Sequence, residues 1–167
     1  MKTAYFAGGC FWCIASVFET TPGVLDVISG YSGGDEAAPS YLDVKAQKTG
    51  HRETIRIDYD ETVVGYADLL RVFLDNVDPA DPDGQYVDRG RSYTLAVYYE
   101  TPEERETAEA ALEALRLATG GPVYIALERF RSFYRAEEYH QHYALRHPAE
   151  FAEEMAKSGR QKSQTPT

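Results

Sequence analysis

The chain has 167 residues, which fits one domain around one core, since domains commonly run to ~100–200 residues. Its 27 acidic and 17 basic residues leave a formal charge of -10, which repels phosphate backbones and anionic membranes, so nucleic acid and membrane are excluded as expected partners. Hydrophobic residues at 43% and aromatic residues at 13% describe a folded domain and exclude disorder along most of the chain.

Thr3 to Ala7 predicts a short strand that meets Gly8-Gly9, and CFWCIASVFET then predicts a helix ending before Pro22-Gly23. The same opening imitates a secretory signal, but Gly8-Gly9 interrupts the apolar run and no A-x-A site follows it. No other apolar run approaches the ~18 residues of a membrane span, so a cytoplasmic chain is expected. Val24 to Gly30 predicts a strand, and Ser40 to Gln47 and Thr54 to Asp60 predict two more that pair antiparallel. Tyr66 to Asn76 has helical spacing, and the Asp, Pro and Gly of DNVDPADPDGQ predict a long loop and a candidate site. Tyr93 to Tyr99 predicts a strand, then Thr101, Pro102 and Glu104 set up a capped helix that ends at Gly120-Gly121. Val123 to Leu127 predicts a last strand, followed by helices over Ala136 to Leu145 and Pro148 to Lys157. Residues 1–157 are expected to form one catalytic domain and 158–167 a polar, disordered tail. Several consecutive strands lack a helix between them. The expected class is therefore α+β, a two-layer sandwich with a mixed, largely antiparallel sheet and a β-α-β-β-α-β, ferredoxin-like core.

Both cysteines and the only tryptophan fall within Cys10 to Cys13. A structural disulfide framework spreads its cysteines along the chain, so this C-x-x-C points to redox chemistry or a metal. Zinc would need Cys10 and Cys13 joined by His140 and His142, whose H-x-H spacing is tight, and no metal or organic cofactor is expected. With a helix starting near Gly9, Cys10 sits where free N–H groups and the helix dipole are expected to lower a thiol's pKa, which makes it the nucleophile. Cys13, one turn on, is placed to close a disulfide with an oxidised Cys10. Two chemistries stay open at this point, a general thiol-disulfide oxidoreductase and a reductase whose Cys10 attacks an oxidised small group. The bulky Phe11 and Trp12 favour the second, because they suit an apolar pocket for a group such as a methyl.

The GGCFWC run resembles the active-site motif of the peptide methionine sulfoxide reductases of type A. GYSGG (30–34), PSY (39–41), TGHRE (49–53), GQYVDRG (84–90) with Tyr93, and FYRAEEYHQ (133–141) each resemble a family block, in family order. The resemblance implies reduction of methionine-S-sulfoxide, free or in proteins, with Cys10 attacking the sulfoxide sulfur and passing to a sulfenic acid. It implies Glu53 as general acid with a pKa raised by its pocket, Tyr41 and Tyr93 as donors to the substrate oxygen, and Asp88 on the polar side of the site. It assigns Phe11 and Trp12 to the substrate methyl and leaves His51, His140 and Gln141 as structural. Many members carry resolving cysteines in a C-terminal tail. This chain has none after Cys13, so Cys13 is the expected resolving thiol, and thioredoxin or another dithiol is the expected reductant of a monomeric enzyme. Many members also have Glu at the place of Ala15 and Gln-Tyr-Arg-Ser where this chain has Ser92-Tyr93-Thr94-Leu95. The loss of an arginine there leaves rate and substrate preference open. A binder of oxidised methionine without turnover is a third, non-enzymatic possibility.

Overall fold

Along β1 (Lys2–Gly8) the side chains alternate between two faces, with Ala4 and Phe6 entering the main core and Tyr5 and Ala7 a smaller cluster on the opposite side. The computed structural model to which β1 belongs describes residues 1–160. After Gly9, α1 (Phe11–Glu19) buries Phe11, Ile14, Ala15 and Phe18, the i, i+3, i+4, i+7 stripe of an amphipathic helix on a core. Each such large side chain stabilises the fold by ~1.5–3 kcal/mol through removal from water. The chain continues through β2 (Val24–Ser32), the short α2 (Tyr41–Lys45), β3 (Arg52–Tyr59) and α3 (Tyr66–Asp75), which buries Leu69, Leu70 and Phe73. A hairpin of β4 (Gly84–Gln85) and β5 (Asp88–Arg89) follows, then a 3-10 turn at Arg91–Tyr93 and β6 (Leu95–Tyr99). The last elements are α4 (Pro102–Thr119), β7 (Ile125–Arg129), β8 (Tyr134–Arg135), a 3-10 turn at Glu138–His140, α5 (Tyr143–Arg146) and α6 (Pro148–Ser158).

Among the described residues the main sheet has six strands in the order β7-β6-β1-β3-β2-β8, and only β6 and β7 run parallel. Its middle strands, β6-β1-β3-β2, carry α1 between β1 and β2 and α3 between β3 and β6, which is the expected ferredoxin-like arrangement. The helices cover one face. On the other, Tyr5 stacks on Phe130 at 4.0 Å between ring centroids, so the segment after β7 closes the second cluster. No helix among the described residues is long and apolar enough to cross a membrane.

Three expected elements differ. Ser40 to Gln47 is not a strand beside β3. Its centre is α2, capped by the Ser40 hydroxyl accepting from the Asp43 N–H at 3.2 Å, and β3 pairs with β1 and β2 instead. The expected helix from Ala136 to Leu145 is broken. The Gln141 carboxamide accepts from the Ser29 N–H and donates to the Ser29 and Ala136 carbonyls, which holds the chain extended there, and His142 turns at φ 52°. Ser158 and Arg160, counted with the expected polar tail, are buried; the rest of that tail, 161–167, lies outside the described residues.

Candidate active site

A cavity of about 320 Å³ opens where the start of α1, α2, the start of β3, the β4–β5 hairpin, the turn before β6 and α6 converge. Gly9 makes the entry into α1 possible. Its φ of +89° suits glycine, and a side chain there would meet Arg160 Nη2 and Gln85 at 2.9 Å. Cys10 then caps the helix, its carbonyl accepting from the Cys13 and Ile14 N–H groups at 3.1 and 3.2 Å. Both thiols are free, and Cys13 is buried.

The expectation that the helix end lowers the Cys10 pKa is corrected here. Sharing a hydrogen bond with Cys13 pushes the Cys10 thiol well up, and burial and the Asp88 charge add to this, while the Cys13 N–H pulls only weakly the other way. The first free N–H of the helix, that of Phe11, donates to Glu53 Oε1 at 3.1 Å. The hydrogen bond from Cys10 draws Cys13 down, against burial and with help from the Arg160 charge. The two thiols are thus drawn in opposite directions, Cys10 up and Cys13 down.

Glu53 is 2% exposed at the start of β3, opposite Tyr31 of β2. Burial raises its carboxyl well above the ordinary value, the Cys10 charge adds to this, and the Phe11 N–H opposes it. Tyr41 opens α2 and is oriented from behind, its N–H donating to Glu137 Oε2 at 2.9 Å. Tyr93 ends the 3-10 turn and is buried. Burial and then the Glu53 charge raise both phenols, so both remain O–H donors. Burial also raises Asp88, opposed by Arg160. Lys45, which sequence reasoning did not single out, lines the same cavity.

Aromatic rings form the opposite wall. Trp12 lies flat on Tyr143, with centroids 3.9 Å apart, and its indole N–H donates to His140 Nδ1 at 3.1 Å. Burial lowers the His140 pKa, so the ring is neutral and Nε2 carries the hydrogen. His140 also packs against Phe11 and Tyr41, with centroids 5.1 and 4.2 Å apart.

All eight residues expected from the sequence, Cys10, Phe11, Trp12, Cys13, Tyr41, Glu53, Asp88 and Tyr93, line this one cavity. Sequence reasoning missed the wall from α5 and α6, namely Tyr143, Phe151, Glu154 and Lys157. The only sequence signal for the last three is an amphipathic helix after His147. His51 is structural as expected, its Nε2 2.7 Å from the Glu36 carbonyl and its Nδ1 accepting from the Gly34 N–H. Thr94, where an arginine was noted as missing, accepts from Arg52 Nε at 2.9 Å and fixes a buried cation outside the cavity lining. Ala15 packs in the core.

A family model described as peptide methionine sulfoxide reductase matches residues 2–167. A peptide methionine sulfoxide reductase MsrA of Bacillus subtilis is 41% identical over 163 residues, covering 95% of this chain and 91% of the relative, and one of Listeria monocytogenes is 41% identical with 96% and 92% covered. Among solved structures, the methionine sulfoxide reductase A of Corynebacterium diphtheriae superposes with a TM-score of 0.79 at 28% identity, covering 88% of this chain and 75% of that one. Mxr1 of Saccharomyces cerevisiae in reduced form superposes with a TM-score of 0.84 at 25% identity, over 89% and 86%. The same yeast protein in complex with Trx2 gives 0.60 at 20% identity over 86% and 84%, a likeness of fold.

Proposed function

Since the chain belongs to the peptide methionine sulfoxide reductase family, and is thus an oxidoreductase, we propose that it reduces methionine-S-sulfoxide, free or in proteins, through Cys10, Glu53 and Cys13. The observation that carries this reading is a buried carboxyl, its pKa raised by burial, joined through the Phe11 N–H to the turn that bears Cys10. A sulfoxide oxygen leaves only when protonated, and Glu53 supplies that proton where the Tyr41 and Tyr93 hydroxyls hold the oxygen.

The rings of Phe11 and Trp12 take the substrate methyl, and Asp88 lines the polar side. As Cys10 attacks, its proton passes to Cys13, which holds the charge of the pair, so the nucleophile forms at the moment of use. The sulfoxide sulfur is reduced to methionine, and Cys10 is oxidised to a sulfenic acid carrying the transferred oxygen. Cys13 then attacks that sulfur, water leaves, and a Cys10–Cys13 disulfide results. Thioredoxin or another dithiol protein is the proposed reductant of that disulfide, as the Trx2 complex of the yeast protein suggests by fold likeness. The general disulfide exchange reading has no observation in its favour, because Cys13 is buried and aromatic rings flank Cys10.

The test is a single turnover of pre-reduced protein with racemic methionine sulfoxide and no reductant, following both epimers, intact mass and thiol count. Loss of the S epimer alone, matched by loss of both thiols, is the expected result. Unchanged sulfoxide would overturn the proposal.

A further inference from the structure

Arg160 follows α6 and is 1% exposed, yet among the described residues no carboxylate lies within ion-pair distance of it. Its guanidinium donates instead to two backbone carbonyls, Gly8 from Nη2 at 3.0 Å and Asn76 from Nη1 at 2.8 Å, and lies over the Tyr86 ring at 4.9 Å. Gly8 ends β1 and leads through Gly9 to Cys10, and an added Gly9 side chain would strike Arg160 Nη2. The guanidinium is thus wedged beside the Gly8-Gly9 turn that leads into the C-x-x-C. A fully buried cation is costly unless a negative charge answers it. The anions that feel it are Cys13 and Asp88.

We propose that Arg160 is a positioning residue of the resolving step: it locks the Gly8-Gly9 turn and supplies the positive charge that faces Cys13 as a thiolate when Cys13 attacks the Cys10 sulfenic acid. This inference rests on the reading of Cys13 as the resolving thiol. In the step, an S–S bond forms and the Cys10 S–O bond breaks. The sulfenic oxygen leaves as water, taking its own hydrogen and the proton given up by Cys13. Cys13 is oxidised from thiol to disulfide and Cys10 is reduced from sulfenic acid to disulfide, so no further reagent enters. The charged and titratable groups around Cys13 are Cys10 on its own turn, Arg160, Asp88 of β5 and Glu53 of β3, with Lys45 of α2 and Glu154 and Lys157 of α6 lining the same cavity. The Asp88 and Glu53 carboxyls disfavour the thiolate, and Arg160 is the buried cation that favours it. Arginine suits this place because it stays charged when buried and its fork meets two carbonyls at once.

The experiment compares the full chain with Arg160→Gln and Arg160→Lys in single turnovers with methionine sulfoxide over a range of pH. The methionine burst is followed beside disulfide closure by intact mass, and the sulfenic acid is trapped with dimedone. Expected for the glutamine variant is disulfide closure slowed about ten-fold or more relative to the burst, a loss of roughly one pH unit's worth of thiolate. Sulfenic acid should accumulate and the pH midpoint of closure should move up, with the lysine variant recovering part of that shift. Burst and closure falling together with an unmoved midpoint would overturn the proposal and leave Arg160 a structural anchor. A second measurement does not depend on the variants folding. In Cys10→Ser with Arg160 intact, Cys13 should alkylate with a midpoint below the ordinary thiol value of 9.0, and a midpoint at or above it would also overturn the proposal. Absence of a methionine burst in the unaltered chain would instead count against the proposed function.

Discussion

Glu53→Gln isolates one proton. The glutamine oxygen can still accept from the Phe11 N–H, now 3.1 Å from Glu53 Oε1, so the turn that bears Cys10 keeps its anchor. What is lost is the acid. A positioned general acid contributes ~10²–10⁴ in rate, which at ~1.4 kcal/mol per ten-fold is ~3–5.5 kcal/mol of barrier. Single-turnover methionine formation should therefore fall by about that factor while the fold persists. The pH dependence gives the sharper test. Burial raises the Glu53 carboxyl above its ordinary 4.5, so the active acid form is present below its raised pKa and the wild-type burst declines as pH rises through it. In Glu53→Gln that declining limb should vanish. Stability follows the same sign. A carboxyl whose folded pKa is raised holds its proton more tightly folded than unfolded, so its contribution is full below 4.5 and is lost as pH rises through the folded value. The glutamine variant should lose less stability than wild type between acidic and neutral pH, read by thermal melts. A variant that keeps more than about one third of the wild-type burst, or that keeps the limb, would refute the role of Glu53 as acid.

Tyr41→Phe and Tyr93→Phe each remove one hydroxyl donor from the cavity, and each should lower the burst about ten-fold to a hundred-fold; an unchanged rate in both would remove the tyrosines from the oxygen site. His140→Phe leaves the indole N–H of the single tryptophan without its acceptor, so the intrinsic fluorescence should shift and KM for sulfoxide should rise by several-fold, about 1 kcal/mol of hydrogen bond, with kcat changed less. A shift in fluorescence with KM unmoved would show that the Trp12 orientation does not matter for binding. Gly9→Ala forces a side chain at φ +89° into contact with Gln85 and Arg160, and should lower stability by ~1–3 kcal/mol in a denaturant titration.

The parts of the fold legible in the sequence are those whose cause is local. The strand, glycine turn and helix of Lys2 to Glu19 follow from a period of two, then Gly8-Gly9, then a period near 3.6, and α4 follows from Thr101, Pro102 and Glu104. α2 was illegible because Tyr41, Leu42 and Val44 have strand composition, while Leu42 is 75% exposed and the Tyr41 N–H is held by Glu137, 96 positions away. The break after His140 has the same origin, since Gln141 is bound to Ser29 across 112 positions. Periodicity carries no trace of a partner so distant.

The site divides along the same line. Cys10 to Cys13 were readable as a candidate site because their motif states chemistry in adjacent positions, Tyr41, Glu53, Asp88 and Tyr93 only through the resemblance of separate blocks to a family, and the eight do share one cavity. The charge states of the site were not, because they depend on what the fold packs together. The local rule for a thiol at a helix end points down for Cys10; the hydrogen bond shared with Cys13 and burial reverse it. Arg160 reads as tail because its carbonyl partners lie 152 and 84 positions away. These reversals have one consequence for the proposed chemistry. The raised pKa values of Cys10 and Glu53 both favour their protonated forms, which masks the nucleophile at rest. In the proposed reaction the sulfoxide oxygen draws the Glu53 proton, and without that proton methionine cannot leave. On that proposal Cys10 is kept from becoming a standing thiolate open to any oxidant and is unmasked by its substrate.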